Sequence, residues 1–186
     1  MPMRIGDPRP SFEGATGWLN ELEQTAEEYT TSQPTLVYFW STSCGVCKQQ
    51  MPKLQAMKSQ YKSQGLRTVA IHMPRYEADT DIETVKKTIA EHCIDDVCAI
   101  DNEHKLKDAF LNEQGWVPVY YLFDAEGKLK TRAAGEFGIR PAIDFHGVGI
   151  ELEPVPQHVL RNVFRPGRRK LHIGQMVQMD RVVQSE

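Results

Sequence analysis

Cys44 and Cys47, two thiols three residues apart, are the side chains of this sequence best suited to chemistry. Residues at that spacing on a helix share a face, with Cβ atoms roughly 5 to 6 Å apart, so a dithiol placed there needs little adjustment to join and reopen as a disulfide. The surrounding residues show where the pair sits. Leu36, Val37, Tyr38, Phe39 and Trp40 form an apolar run of strand length, and Met51, Leu54, Met57 and Tyr61 then recur at helical spacing until Gly65 supplies a stop. The pair therefore opens a helix that follows a buried strand. There, unpaired N–H groups and the positive end of the helix dipole favour a thiolate on Cys44, while Cys47 lies one turn inside. Cys44 is read as the exposed nucleophile that attacks a substrate disulfide, and Cys47 as the thiol that resolves the mixed disulfide and leaves an oxidised Cys44–Cys47 pair.

Four cysteines leave another use open, since Cys93 and Cys98 could complete a four-thiolate zinc site with the first pair. Such sites are usually held on knuckles and loops, whereas a pair between a strand and a helix is the context of redox chemistry. No metal is expected on this reading. Cys93 continues the apolar face of an expected helix and Cys98 falls in an expected strand, so two buried, inert thiols are the simpler expectation and a second redox pair the alternative. His92 and His104 flank them at a spacing that matches no zinc motif.

The elements that must hold the pair follow an α/β pattern. With 186 residues and 40% hydrophobic content, the chain permits one domain with a real core and appendages. Residues 1–33 read as a polar extension that docks through Phe12, Trp18 and Leu19, with a short helix expected over 20–29. Residues 66–73 read as a second strand closed by Pro74, and strand, helix and strand in that order imply a parallel pair. Thr80-x-x-Glu83 has the pattern of a capping box, ahead of Ile82, Val85, Ile89 and Cys93 on one helical face. A short strand is expected at 97–100, then a helix capped by Asp101 or Asn102 and carrying Leu106, Ala109 and Phe110. A strand over 116–123 turns through Asp124, Ala125, Glu126 and Gly127 into an antiparallel partner at 128–134. The domain is taken as 34–164, with residues 157–164 helical and 165–186 a disordered, partly basic tail.

A net charge of −3 leaves no footprint for nucleic acid or an anionic membrane, and neither is expected as a partner. No stretch approaches the ~20 apolar residues needed to span a bilayer, and the first residues lack an apolar signal core, so a cytoplasmic location is expected.

Taken together, the cysteine pair at a strand-to-helix junction and the later run Trp116-Val117-Pro118-Val119-Tyr120 resemble the thioredoxin superfamily, most closely its TlpA/ResA-like branch. The resemblance covers roughly residues 8–136. It implies a central mixed sheet flanked by helices and a thiol-disulfide oxidoreductase that reduces protein disulfides. It also implies no dissociable cofactor, with electrons coming from an upstream thiol reductant or reductase. Cys44 and Cys47 are then the catalytic thiols. Pro118 is the cis-proline facing them, with the Val117 backbone free to pair with a client strand, and Pro52 kinks the active-site helix, where it removes a hydrogen bond to Lys48. Departures from the pattern matter too. Tyr38 stands where thioredoxins carry a buried Asp, Gln50 where many ResA-like proteins carry a Glu, Ser43 for the usual Trp and Val46 for the usual Pro. No carboxylate is thereby assigned to deprotonate Cys47. Two other functions compete: a zinc-bound interaction module, and a peroxidase. Peroxiredoxins share the fold but place a Thr or Ser three residues and a Pro seven residues before the reactive Cys. Ser41 meets the first requirement and Val37 fails the second.

Overall fold

A computed structural model describes residues 1–136 and builds them around a six-stranded mixed sheet. Its strands are β1 (Gly17–Leu19), β2 (Thr35–Trp40), β3 (Arg67–His72), β4 (Val97–Ile100), β5 (Val119–Phe123) and β6 (Leu129–Ala134), in the spatial order β1-β4-β3-β2-β5-β6. Helices α1 (Ala26–Thr30), α2 (Gly45–Tyr61), α3 (Ile82–Glu91) and α4 (Lys105–Ala109) connect or flank them. Strands β2, β3 and β4 run parallel, with α2 and α3 in the crossovers, whereas β5 lies antiparallel to β2 and β6 antiparallel to β5.

Central strands covered on both faces read as continuous apolar runs, and every residue of β2 is buried. Alternation then divides the side chains between two layers. Val37, Phe39, Val69, Ile71, Val97, Ala99, Val119, Tyr121 and Phe123 join Phe12, Leu106 and Phe110 in one core. Phe110 is its centre, with the rings of Tyr121, Phe39, Phe12 and Phe123 at centroid distances from 5.5 to 6.3 Å. On the opposite face lie Leu36, Tyr38, Trp40, His72, Cys98 and Tyr120. Helix α2 meets this face, because Lys58 reaches Asp96 at 2.7 Å and Asp96 also accepts the Tyr38 hydroxyl at 2.6 Å.

Several local expectations shift. Within the first 33 residues, Met3, Phe12 and Ala26 lie in the core and Trp18 packs against it, while Leu19, expected to dock there, pairs with Cys98 in β1, an edge strand antiparallel to β4. The helix expected over 20–29 begins only at Ala26. Asn20 adopts a positive φ and spends its side-chain amide on the Ile94 and Asp96 carbonyls, leaving Thr25 and Glu28 to form the capping box. Thr80-x-x-Glu83 does not cap α3. Asp81 does, accepting the Thr84 N–H at 3.0 Å, while the Thr80 hydroxyl donates to the Glu77 carbonyl in the turn before. Asp outranks Thr at an N-cap. Asp101 does cap α4, accepting the Leu106 and Lys107 N–H groups.

Cys93 is not buried on the α3 face, because α3 ends at Glu91 and Cys93, with φ of 53°, is exposed. Cys98 is buried, which pushes its thiol up to about 12. Both are free thiols. Strand β5 starts at Val119 rather than at residue 116, since Trp116 is bound instead by Asn112 and Pro118 has no N–H to give a ladder. The expected helix at 157–164 and the tail at 165–186 lie outside the described residues.

Candidate active site

Strand β2 ends at Trp40, the turn Ser41-Thr42-Ser43 follows, and Cys44 becomes the N-cap of α2. Its backbone is extended, with φ of −88° and ψ of 100°, and its carbonyl accepts the Lys48 N–H at 3.2 Å. The Cys44 sulfur takes the place of a capping oxygen, accepting the Cys47 N–H at 3.0 Å. That N–H is one of the donors a helix start leaves unpaired. Cys44 and Cys47 are joined as a disulfide, with Cα atoms 5.2 Å apart, inside the range such a bond spans without backbone movement. Burial treats the two sulfurs alike, correcting the expectation that Cys44 is exposed: Cys44 is 3% and Cys47 1% accessible. The asymmetry lies in position, since only Cys44 holds the cap.

A second wall comes from the loop ahead of β5. The Val117–Pro118 peptide is cis, and the Val117 carbonyl oxygen lies 3.6 Å from the Cys44 sulfur. Asn112, fully buried, holds that loop by donating to the Trp116 carbonyl at 3.0 Å and accepting the Trp116 N–H at 3.1 Å. Behind Pro118, its carbonyl accepts the Gly135 N–H at 2.8 Å. Pro118 is buried and Val117 half-buried, while Trp116, Val46 and Ser43 stay exposed around the disulfide. The fold thus brings Cys44, Cys47, Val117 and Pro118 together. Pro52 lies further along α2, where it offers no N–H to the Lys48 carbonyl.

Three more groups lie near the pair, of which only Gln50 stands at a position the family resemblance picks out. Asp79, in the turn before α3, accepts hydrogen bonds from the Ser41, Thr42 and Ser43 hydroxyls and from the Arg75 and Tyr76 N–H groups. Burial alone raises a carboxyl, but these donors outweigh it and hold Asp79 well below the usual carboxylate range. His72, at the end of β3, is fully buried edge-on to Trp40, with ring centroids 4.9 Å apart. Its Nε2 accepts the Thr42 N–H at 3.4 Å. Burial lowers its pKa to about 4 although the Asp79 charge pulls the other way, so the imidazole is neutral at pH 7. Gln50, one turn beyond Cys47, is buried with its side-chain oxygen unbonded.

Tyr38 does not stand alone at the thioredoxin Asp position: it shares Asp96 with Lys58 and Thr68. Lys58 lies eleven residues past Cys47, about 16 Å along the helix, so this network braces the far end of α2. Among the described residues no group of three or more His, Cys, Asp or Glu is placed to hold a metal ion.

The AhpC/TSA family profile matches residues 5–132, most of the chain. The chain belongs to the AhpC/TSA family. The chain is similar to the thiol-disulfide oxidoreductase YkuV of Bacillus subtilis, 43% identical over 138 residues that cover 74% of this chain and 90% of that one. It is also similar to the thiol-disulfide oxidoreductase ResA of Oceanobacillus iheyensis, 24% identical over 71% of this chain and 66% of the relative. A thioredoxin-like protein solved in solution in its oxidised form superposes with a TM-score of 0.66 at 39% identity, covering 75% of this chain and 95% of that structure. The thioredoxin-like fold, the named relatives and the joined Cys44–Cys47 pair make this AhpC/TSA member a thiol-disulfide oxidoreductase.

Proposed function

We propose that the chain works as a reductase of disulfides in client proteins, in the cytoplasm, drawing electrons from an upstream thiol reductant. The observation that carries this reading is the Cys44 sulfur at the N-cap of α2, beside the Val117 carbonyl. In the reduced protein the Cys44 thiolate attacks one sulfur of a client disulfide. The client S–S bond breaks, its other sulfur leaves as a thiolate, and a Cys44–client mixed disulfide remains. Cys47, once deprotonated, attacks the Cys44 sulfur, forms the intramolecular disulfide and releases the second client thiolate. Two electrons have then reached the client, whose two thiolates take from solvent the protons that the Cys44 and Cys47 thiols gave up, and a dithiol reductant restores Cys44 and Cys47 by the reverse exchange.

An extended client segment fits beside Val117, whose backbone precedes a strand and offers main-chain pairing in the manner of β-augmentation. Trp116, next to Val117 in the chain, and Val46, between the two cysteines, are exposed and supply apolar contact. The exposed free thiol of Cys93 is compatible with that compartment.

Equilibration of the Cys44–Cys47 pair with glutathione mixtures tests the direction. A potential in the cytosolic range, about −220 to −320 mV, supports the reductase, whereas a value near about −120 mV makes the protein an oxidant. Turnover with hydrogen peroxide exceeding that with insulin disulfides would favour a peroxidase instead. Fractionation of cells expressing the full chain, with alkylation of thiols at lysis, tests the compartment; a pool outside the cytoplasm overturns that part.

A further inference from the structure

The Asp79 carboxylate collects five donors from two segments, and three of them are consecutive hydroxyls of the turn that ends at the nucleophile. Its Oδ2 accepts from Ser41 at 2.9 Å, Ser43 at 2.7 Å, the Arg75 N–H at 2.9 Å and the Tyr76 N–H at 3.2 Å, and its Oδ1 from Thr42 at 2.7 Å. Ser41, Thr42 and Asp79 are buried. The same turn is held from below by His72 Nε2 on the Thr42 N–H and from within by the Cys44 N–H on the Ser41 carbonyl. A side chain in a helix or sheet would not be needed here, but Ser41-Thr42-Ser43 belongs to neither, so its shape depends on these bonds. The placement of Cys44 at the cap of α2 depends on the shape of that turn.

We propose that Asp79 is a positioning residue of the dithiol site: by clamping Ser41, Thr42 and Ser43 to the Arg75–Tyr76 segment, it holds Cys44 at the α2 N-terminus and thereby sets the reactivity of Cys44 and the equilibrium of the pair. A cap held in one geometry keeps the Cys47 N–H and the helix dipole aimed at the Cys44 sulfur, which stabilises the thiolate and with it the reduced state. Releasing the clamp averages that alignment away. The proposal rests on the dithiol chemistry of the pair and not on the direction in which it runs, so a failed reductase assay leaves it standing.

Asp79→Ala, Asp79→Asn and Ser43→Ala test it in the full chain, with Lys58→Ala as a destabilised control remote from the turn. Alkylation of Cys44 by iodoacetamide is followed against pH on the Cys44 peptide by mass spectrometry, because the exposed Cys93 also reacts. In parallel, each protein is equilibrated in the reaction of protein disulfide with two glutathione molecules to give protein dithiol and glutathione disulfide. Asp79→Ala should slow Cys44 alkylation at pH 7 by about fivefold, the scale of one net hydrogen bond, and displace the glutathione equilibrium toward protein disulfide by a similar factor. Asp79→Asn keeps one oxygen acceptor and should fall between Asp79→Ala and wild type, and Ser43→Ala should shift both readouts in the same direction by less. A folded Asp79→Ala protein whose Cys44 alkylation is unchanged, or faster as loss of the buried anion alone would make it, overturns the proposal, as does an equal shift in Lys58→Ala. If Asp79→Ala does not fold, unchanged profiles in both Asp79→Asn and Ser43→Ala overturn it.

Discussion

Protonation of His72 must oppose the fold, and the size of that opposition follows from the site. The imidazole is wholly buried against Trp40, with Nε2 committed to the Thr42 N–H, and burial lowers its pKa from 6.5 to about 4. The unfolded chain therefore binds this proton at a higher pH than the folded one. Stability from the neutral imidazole is complete above about pH 6.5, falls as pH drops from there to about 4, and is constant below, where both states are protonated. At about 1.4 kcal/mol per tenfold change in proton affinity, the whole difference is worth about 3 kcal/mol, of which roughly 2 kcal/mol is lost between pH 7 and pH 4.5. Asp79 does not blur this window. Its carboxyl is held low in the folded protein, so its contribution is present above about pH 4, its unfolded value, and is lost only as pH falls further. The assay is urea unfolding of the oxidised protein at pH 7 and 4.5, for wild type and His72→Gln, which keeps an acceptor for Thr42. The variant should be less stable at pH 7 but lose roughly 2 kcal/mol less between the two pH values. Equal losses in both proteins, or a folded-state imidazole that titrates near 6.5 by NMR, would refute the reasoning.

Other outcomes follow from the same geometry. Cys44→Ser should abolish disulfide reduction, while Cys47→Ser should accumulate a mixed disulfide at Cys44; adducts forming at Cys47 in the Cys44→Ser protein at the wild-type rate would reverse the two roles. Lys58→Ala strands the buried Asp96 charge and should cost about 3 kcal/mol in urea unfolding, with Cys44 alkylation unchanged. Asn112→Ala leaves the Trp116 N–H and carbonyl without their partner, and should cost about 2 kcal/mol and slow reduction of a protein disulfide more than that of a small one. An equal effect on both substrates would mean that the Trp116–Val117 wall does not contact clients.

The reach of the sequence can be judged element by element. Continuous apolar runs mark β2, β3 and β4 because central strands are buried on both faces, and helical spacing after a cysteine pair marks α2, because these patterns are local. The Cys44–Cys47 disulfide is legible for the same reason: both residues lie in one turn of one helix. Edges and caps are less so. Strand β1 is three residues long and exists through its pairing with β4, far along the chain. Cys93 falls outside α3 because the helix ends at Glu91 and Cys93 itself takes a positive φ, a C-terminal stop that a spacing rule does not resolve.

The surroundings of the dithiol come from segments far apart in the chain. Asp79 lies 35 residues beyond Cys44 in the numbering, His72 ends a different strand and Asn112 follows α4. No periodicity links them to the cysteines. Burial turns His72 from an ordinary titrating imidazole into a neutral acceptor, and convergence of five donors turns Asp79 from one acid among 25 acidic residues into a fixed anion beneath the active-site turn. The two sulfurs and the helix that presents them are legible before folding, since they depend on residues near in the chain. The environment that tunes them is made of desolvation and hydrogen bonds between distant segments, and those exist only once the sheet has brought the segments together.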